Sequence, residues 1–162
     1  MPVVIVIGLI AAGAILLYGQ VTSTGQDSVT DLGGQVDATQ SNATTKIAQA
    51  IATAEGFYVD GSRPQRNHNP GDMTQDLTGT GVGTDGPFVV YATDQDGWEC
   101  LYAQVNAWLN GTSRYHSADS SINDLAGLGS ETGYTATDQA AWAATVASTL
   151  GVDADTNLGS IV

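Results

Sequence analysis

Basic side chains are scarce in this sequence: Lys and Arg number 4 against 17 Asp and Glu, the formal net charge is −13, and Lys46 is the only lysine. So anionic a surface repels phosphate backbones, which excludes nucleic-acid binding. Cysteine is nearly absent as well, with Cys100 alone, so an intramolecular disulfide and a cysteine-rich zinc site are both ruled out. Cys100 falls in an apolar helical pattern beside Trp98 and Leu101, where a buried, inert thiol is expected. His68 and His116 lie far apart and lack ligand-like neighbours; both read as exposed loop residues, and no metal site is expected. Gly79, Gly81 and Gly83 precede neither a helical pattern nor a lysine, so no phosphate-cradling loop and no cofactor are expected.

What the chain has in abundance is Asp, Gly, Thr and Ala. That is a composition suited to concentrated salt, where a dense carboxylate surface stays hydrated and its self-repulsion is screened. In such a setting the thermal midpoint climbs as salt is raised to molar levels; a midpoint indifferent to salt disproves the saline reading.

The chain divides into three parts. Residues Pro2 to Tyr18 carry no charge, and about 17 residues make a helix about 25 Å long, at the short end for a membrane span. This segment reads as a retained anchor over residues 1–18; a cleaved signal peptide would carry a basic start that is missing here. An apolar helix packed against other proteins is the other reading, which its Gly and Ala content permits. Residues 19–40 turn to Thr, Ser, Gly, Gln and Asp, the composition of a solvated linker. Residues 41–162 are long enough for one core.

Within that domain, Ile47, Ala50, Ile51 and Ala54 follow the helical period, predicting a helix over 43–55 capped by Ser41 or Asn42 and ended by Gly56. Phe57 to Gly86 is rich in Gly, Asp, Asn and Thr, predicting loop and short strands, with a tight turn at Asn69-Pro70-Gly71-Asp72. Phe88 to Tyr91 is a strand candidate. Trp98, Leu101, Tyr102, Val105, Trp108 and Leu109 predict a helix over 97–109, started by Asp96 and Glu99 and stopped at Asn110-Gly111. Two more helices are predicted over 120–128 and 137–150, the last presenting Trp142, Val146 and Leu150 before Gly151. The expected fold class is α+β, mainly helical.

Glu55 is the residue with chemical promise. It lies four residues after Ile51 and eight after Ile47, on the apolar face of the first helix. Partial burial and the negative end of the helix dipole both favour the protonated carboxyl. A carboxyl that holds its proton near neutral pH is the donor that glycosidic cleavage requires. The plain alternative is an acid at a frayed helix end, turned to solvent. Asp60 and Asp72 could serve as a second carboxylate, but each reads first as a solvated loop residue. Arg66, Asn67 and Asn69 suit either sugar hydroxyls or turn-building. Trp98, Trp108 and Trp142 read as packing, with Tyr91 and Tyr102 as candidates to line a cleft.

The runs Ile47 to Phe57 and Arg66 to Met73, the latter reading Arg-Asn-His-Asn-Pro-Gly-Asp-Met, are followed by Phe88-Val89-Val90-Tyr91, Asp96-Gly97-Trp98, Leu101 to Val105 and Ala144 to Val152. In that order and spacing they resemble a family of phage and bacterial lysozyme-like proteins akin to lytic transglycosylases. The resemblance implies a lysozyme-like domain in which Glu55 is the general acid and base and the Asn-Pro-Gly turn shapes a sugar cleft. Relatives often carry a Tyr-Ala-Pro turn where this chain has Gly129 to Tyr134, so Tyr134 is a candidate sugar contact at a point of departure. The implied partner is the peptidoglycan glycan strand, and the implied setting a virion whose enzyme opens the wall during phage entry. Residues 2–18 would then hold the domain to a membrane or to other virion proteins, in an internal membrane or capsid. A bacterial envelope, with the domain facing the periplasm, is the other location. A rival of a different class is a structural virion protein that keeps the fold without the catalysis.

Overall fold

The computed structural model describes residues 41–127 and 135–162. The anticipated anchor and linker, the end of the helix anticipated over 120–128, and Tyr134 lie outside the described residues. Among the described residues no helix is long and apolar enough to cross a membrane.

Five helices and one hairpin make up the described fold: α1 Asn42–Ala54, α2 Arg63–Arg66, β1 Gly81–Asp85, β2 Phe88–Tyr91, α3 Asp94–Leu109, α4 Ile122–Gly127 and α5 Ala136–Leu150, with a 3-10 turn at Leu158–Ser160. This is an α+β arrangement.

Helix α1 starts where Ser41 accepts a hydrogen bond from the Thr44 amide, and it stops before Gly56, whose φ of 78° an L side chain rarely adopts. It buries more than the single face its apolar spacing suggests, because Ala48 and Ala52 are as enclosed as Ile47 and Ile51. Alanine keeps those flanks thin, and α3 and α5 both pack against α1. Thr44 also donates to Asn106 Oδ1 at 2.7 Å, tying the buried start of α1 to α3. Val105, Trp108, Ile122, Val146 and Leu158 complete a core centred on α1.

Helix α3 begins at Asp94, three residues before the anticipated start. The cap is Thr93, whose hydroxyl accepts from the Asp96 amide and donates to the Asp96 carboxylate, so Asp96 closes the cap from the third helical position instead of opening it. Thr135 and Asp138 build the reciprocal capping box of α5, and Gly151 with φ 70° ends that helix as expected.

The two strands pair antiparallel, with an irregularity between Gly81 and Gly83. Strand β1 is exposed along its length, whereas Phe88, Val89 and Tyr91 of β2 are buried. The loop 67–73 lies along the other edge of β2: the Val89 and Tyr91 amides donate to the Met73 and Asn67 carbonyls, each at 2.9 Å. The Asn69 side chain completes this edge, donating to the Val89 and Met73 carbonyls and accepting from the Met73 amide. The anticipated tight turn is there, closed by the Asp72 amide donating to the Asn69 carbonyl at 3.0 Å.

Candidate active site

Glu55 is the last residue of the α1 spiral, with its amide still bonded to the Ile51 carbonyl. It opens into a cleft of about 290 Å³. The walls are Ile51 of α1, the loop 71–75, Phe88 of β2, Leu101, Gln104 and Trp108 of α3, Tyr115 and His116, Leu125 and Ala126 of α4, and Asp138, Gln139 and Trp142 of α5. Much of this lining is apolar, so a carboxylate within it loses hydration.

Burial is accordingly the main reason the Glu55 carboxyl is raised from 4.5 to about 7; the indole N–H of Trp142 opposes it, Asp72 adds to it and Arg63 subtracts. The carboxyl therefore exchanges its proton near neutral pH, as a general acid and base must. Trp142 Nε1 donates to Glu55 Oε1 at 2.8 Å, across 87 positions of sequence. That bond fixes the carboxyl and favours its ionised form. Trp142→Phe removes it, so the Glu55 titration and any alkaline limb of a pH–rate profile move to higher pH, with stability down by about 1 kcal/mol. An NMR titration of the Glu55 carboxyl checks the direction, and a midpoint that falls disproves it.

Asp72 departs from the solvated loop residue expected for it. It is buried, lines the cleft and is ion-paired to Arg63, whose Nε lies 3.1 Å from Oδ1 while Nη2 reaches Oδ2. Asp60 is exposed, as read from the sequence. His116 also departs from the expected exposed loop residue: it is 8% exposed and stands edge-on to Trp108. Burial lowers its pKa, so the ring is neutral at neutral pH, and its Nε2 has no hydrogen-bond partner among the described residues. His68 keeps much of its exposure and bonds Asp94 at the start of α3.

Among the described residues, the other anticipated sugar contacts Arg66, Asn67, Asn69, Tyr91 and Tyr102 do not line the cleft with Glu55. Arg66 is exposed and donates to the Gly61 carbonyl. Asn67 is buried with its amide 3.4 Å from Asp85, and Asn69 is fully enclosed with its amide spent on backbone. Tyr91 is enclosed beside Cys100, where burial pushes its hydroxyl far above the ordinary value. Tyr102 is buried and stacks on Trp98 with centroids 5.6 Å apart.

In their place the cleft has Gln104, Gln139 and the exposed ring of Tyr115. Trp142 reads from the sequence as packing, and it does pack against the core, but the acceptor its part-buried N–H calls for is not anticipated there; the other three have no distinguishing mark in the sequence. No family model, curated protein or solved structure matches this chain.

Proposed function

We propose that this chain cleaves peptidoglycan in the manner of a lytic transglycosylase. The observation that carries the reading is the Glu55 carboxyl, half-buried in an open cleft with its pKa raised to about 7 and held by the Trp142 indole. Glu55 gives its proton to the oxygen between N-acetylmuramic acid and N-acetylglucosamine as that bond breaks. The resulting carboxylate then takes the proton of the muramic acid 6-hydroxyl, whose oxygen closes onto the anomeric carbon and leaves an anhydro sugar. This route needs one carboxyl, whereas ordinary retaining and inverting hydrolases use two. Asp72 is the other buried carboxylate of the cleft, and both its oxygens are engaged by Arg63, which favours the one-carboxyl route. Gln104, Gln139 and Tyr115 supply amides and an aromatic face suited to acetamido sugars.

The uncharged segment 2–18 and the polar stretch after it suit an enzyme tethered in a virion, at its internal membrane or capsid, that opens the wall locally during entry. The decisive experiment is digestion of purified peptidoglycan by the full chain and by Glu55→Gln, with mass spectrometry of the products. Anhydro-muropeptides released only by the unaltered chain support the proposal. Reducing-end fragments point to a hydrolase, and no release at any pH or salt concentration leaves a non-catalytic structural protein of the virion.

A further inference from the structure

Of the four Lys and Arg side chains, three are engaged within the described residues. Lys46 is bonded to the main-chain oxygen of Val162, Arg63 is paired with Asp72, and Arg66 donates to the Gly61 carbonyl with Asp85 4.0 Å away. Arg114, the fourth, is exposed and among the described residues has neither a carboxylate nor a carbonyl partner. Its guanidinium carbon lies 5.4 Å from the centroid of the Tyr115 ring, within cation–π range. In a chain with 17 acidic side chains, the arginine left without an acid stands beside an aromatic residue of the cleft.

The segment that carries these two residues is tied on both sides. The Thr112 and Ser113 amides donate to the Ala107 carbonyl near the end of α3, at 2.9 and 3.1 Å, and the Gly159 amide donates to the Ala118 carbonyl at 2.8 Å. Between the ties His116 is buried edge-on against Trp108, whereas Tyr115 is 61% exposed. Tyr115 both lines the cleft and meets solvent, so it stands at the mouth. The charged residues of the described lining are Glu55, Asp72 and Asp138, all acids, and of these only Asp72 has a basic partner. An anionic group on a ligand is repelled by those carboxylates and is accommodated only within reach of Arg114, on the Tyr115 side.

We propose that Arg114 and Tyr115 form a rim subsite that selects glycans carrying a carboxylate, with Tyr115 offering its ring to a sugar and the Arg114 guanidinium taking the carboxylate in a two-pronged hydrogen bond. The inference rests on the cleft being a glycan site. In intact peptidoglycan the lactyl carboxyl of N-acetylmuramic acid is spent in the amide to the peptide stem, so the carboxylates within reach are those of the stem. In stem-free glycan the lactyl carboxylate itself is free. The net charge of −13 opposes every anionic ligand, so a preference for one has to come from a local contact.

Binding is measured by calorimetry on the full chain carrying Glu55→Gln, which prevents turnover, in salt of about 0.15 M. The probes are a neutral chitin tetramer, a stem-free tetrasaccharide of alternating N-acetylglucosamine and N-acetylmuramic acid, and the same tetrasaccharide bearing tripeptide stems. The stem-bearing glycan is expected to bind about fivefold more tightly than the chitin tetramer. Adding Arg114→Gln should erase that preference and leave chitin binding in place; Arg114→Lys, a cation without the planar fork, should keep part of it. An Arg114-dependent preference shown by the stem-free glycan instead upholds the subsite and places the lactyl carboxylate in it. Equal binding of all three probes, or an Arg114→Gln that weakens all three alike, overturns the subsite and leaves the glycan site standing. Binding of none of them refutes the glycan site and the subsite with it. An Arg114-dependent preference in a protein whose unaltered form releases nothing from peptidoglycan upholds the subsite and refutes the enzyme.

Discussion

Glu55→Gln is expected to reduce peptidoglycan cleavage by about a thousandfold, the typical contribution of a positioned general acid, while making the folded protein more stable above neutral pH. In the unfolded chain Glu55 ionises near 4.5, and in the fold near 7. Between those values the native state keeps a proton that the unfolded state has released, so stability falls as pH climbs through this window and stays lower above it. A shift from 4.5 to about 7 corresponds to a penalty of about 3 kcal/mol at pH 8, and essentially none below pH 4. Glutamine has no charge to bury, and its side-chain carbonyl can still accept from Trp142. Denaturant unfolding at pH 4 and pH 8 therefore gives a difference between variant and unaltered chain that grows with pH. Equal stabilities at both values would show that Glu55 ionises as an ordinary surface acid. Activity traded against stability at one residue is the mark of a site that keeps a carboxyl where the fold alone would not place one.

Gly97→Ala is expected to be the most damaging small substitution, costing about 3 kcal/mol and lowering the thermal midpoint by about 10 °C. Gly97 is buried in the first turn of α3, and a β-carbon there would lie 1.9 Å from the His68 carbonyl oxygen and 2.8 Å from the Pro70 ring. Backbone and a proline ring cannot rotate away, so the loop 67–73 and α3 must separate. That loop carries Asp72, so cleavage should fall along with stability. Gly127→Ala is the control, since a β-carbon there meets nothing within 4 Å among the described residues and alanine is the better helix former; its midpoint should stay within a degree or two. A Gly97→Ala protein as stable as this control would mean that the close approach of loop and helix is not maintained in solution.

Apart from the one-turn α2, which lies in a stretch read as loop and short strands, the helices were legible because their signals are local. Ser41, Gly56, Asn110 and Gly151 mark helix ends through backbone requirements that act within a few residues, and apolar spacing marks what lies between. Strand β2 was legible for the same reason, as a short apolar run between turn signals. The start of α3 was misplaced because Asp96 serves equally well as a cap or as the partner of a cap, and only the extended backbone of Thr93 decides between them. Asn69 illustrates the limit at a site: an amide suited to a sugar is equally suited to backbone, and here the open edge of β2 takes it.

The sequence by itself determined the acidic character of the chain, the change from an uncharged to a polar composition ahead of residue 41, the helical frame of the described residues, and Glu55 as the residue to test. Tertiary structure alone decided the surroundings of that residue. Trp142 reaches it from 87 positions away, while Asp72 and His116 are buried despite sitting in polar loops. Capping and periodicity are settled between neighbours in the chain. The burial of a carboxyl, the donor it finds and the charges beside it depend on which distant segments the core brings together.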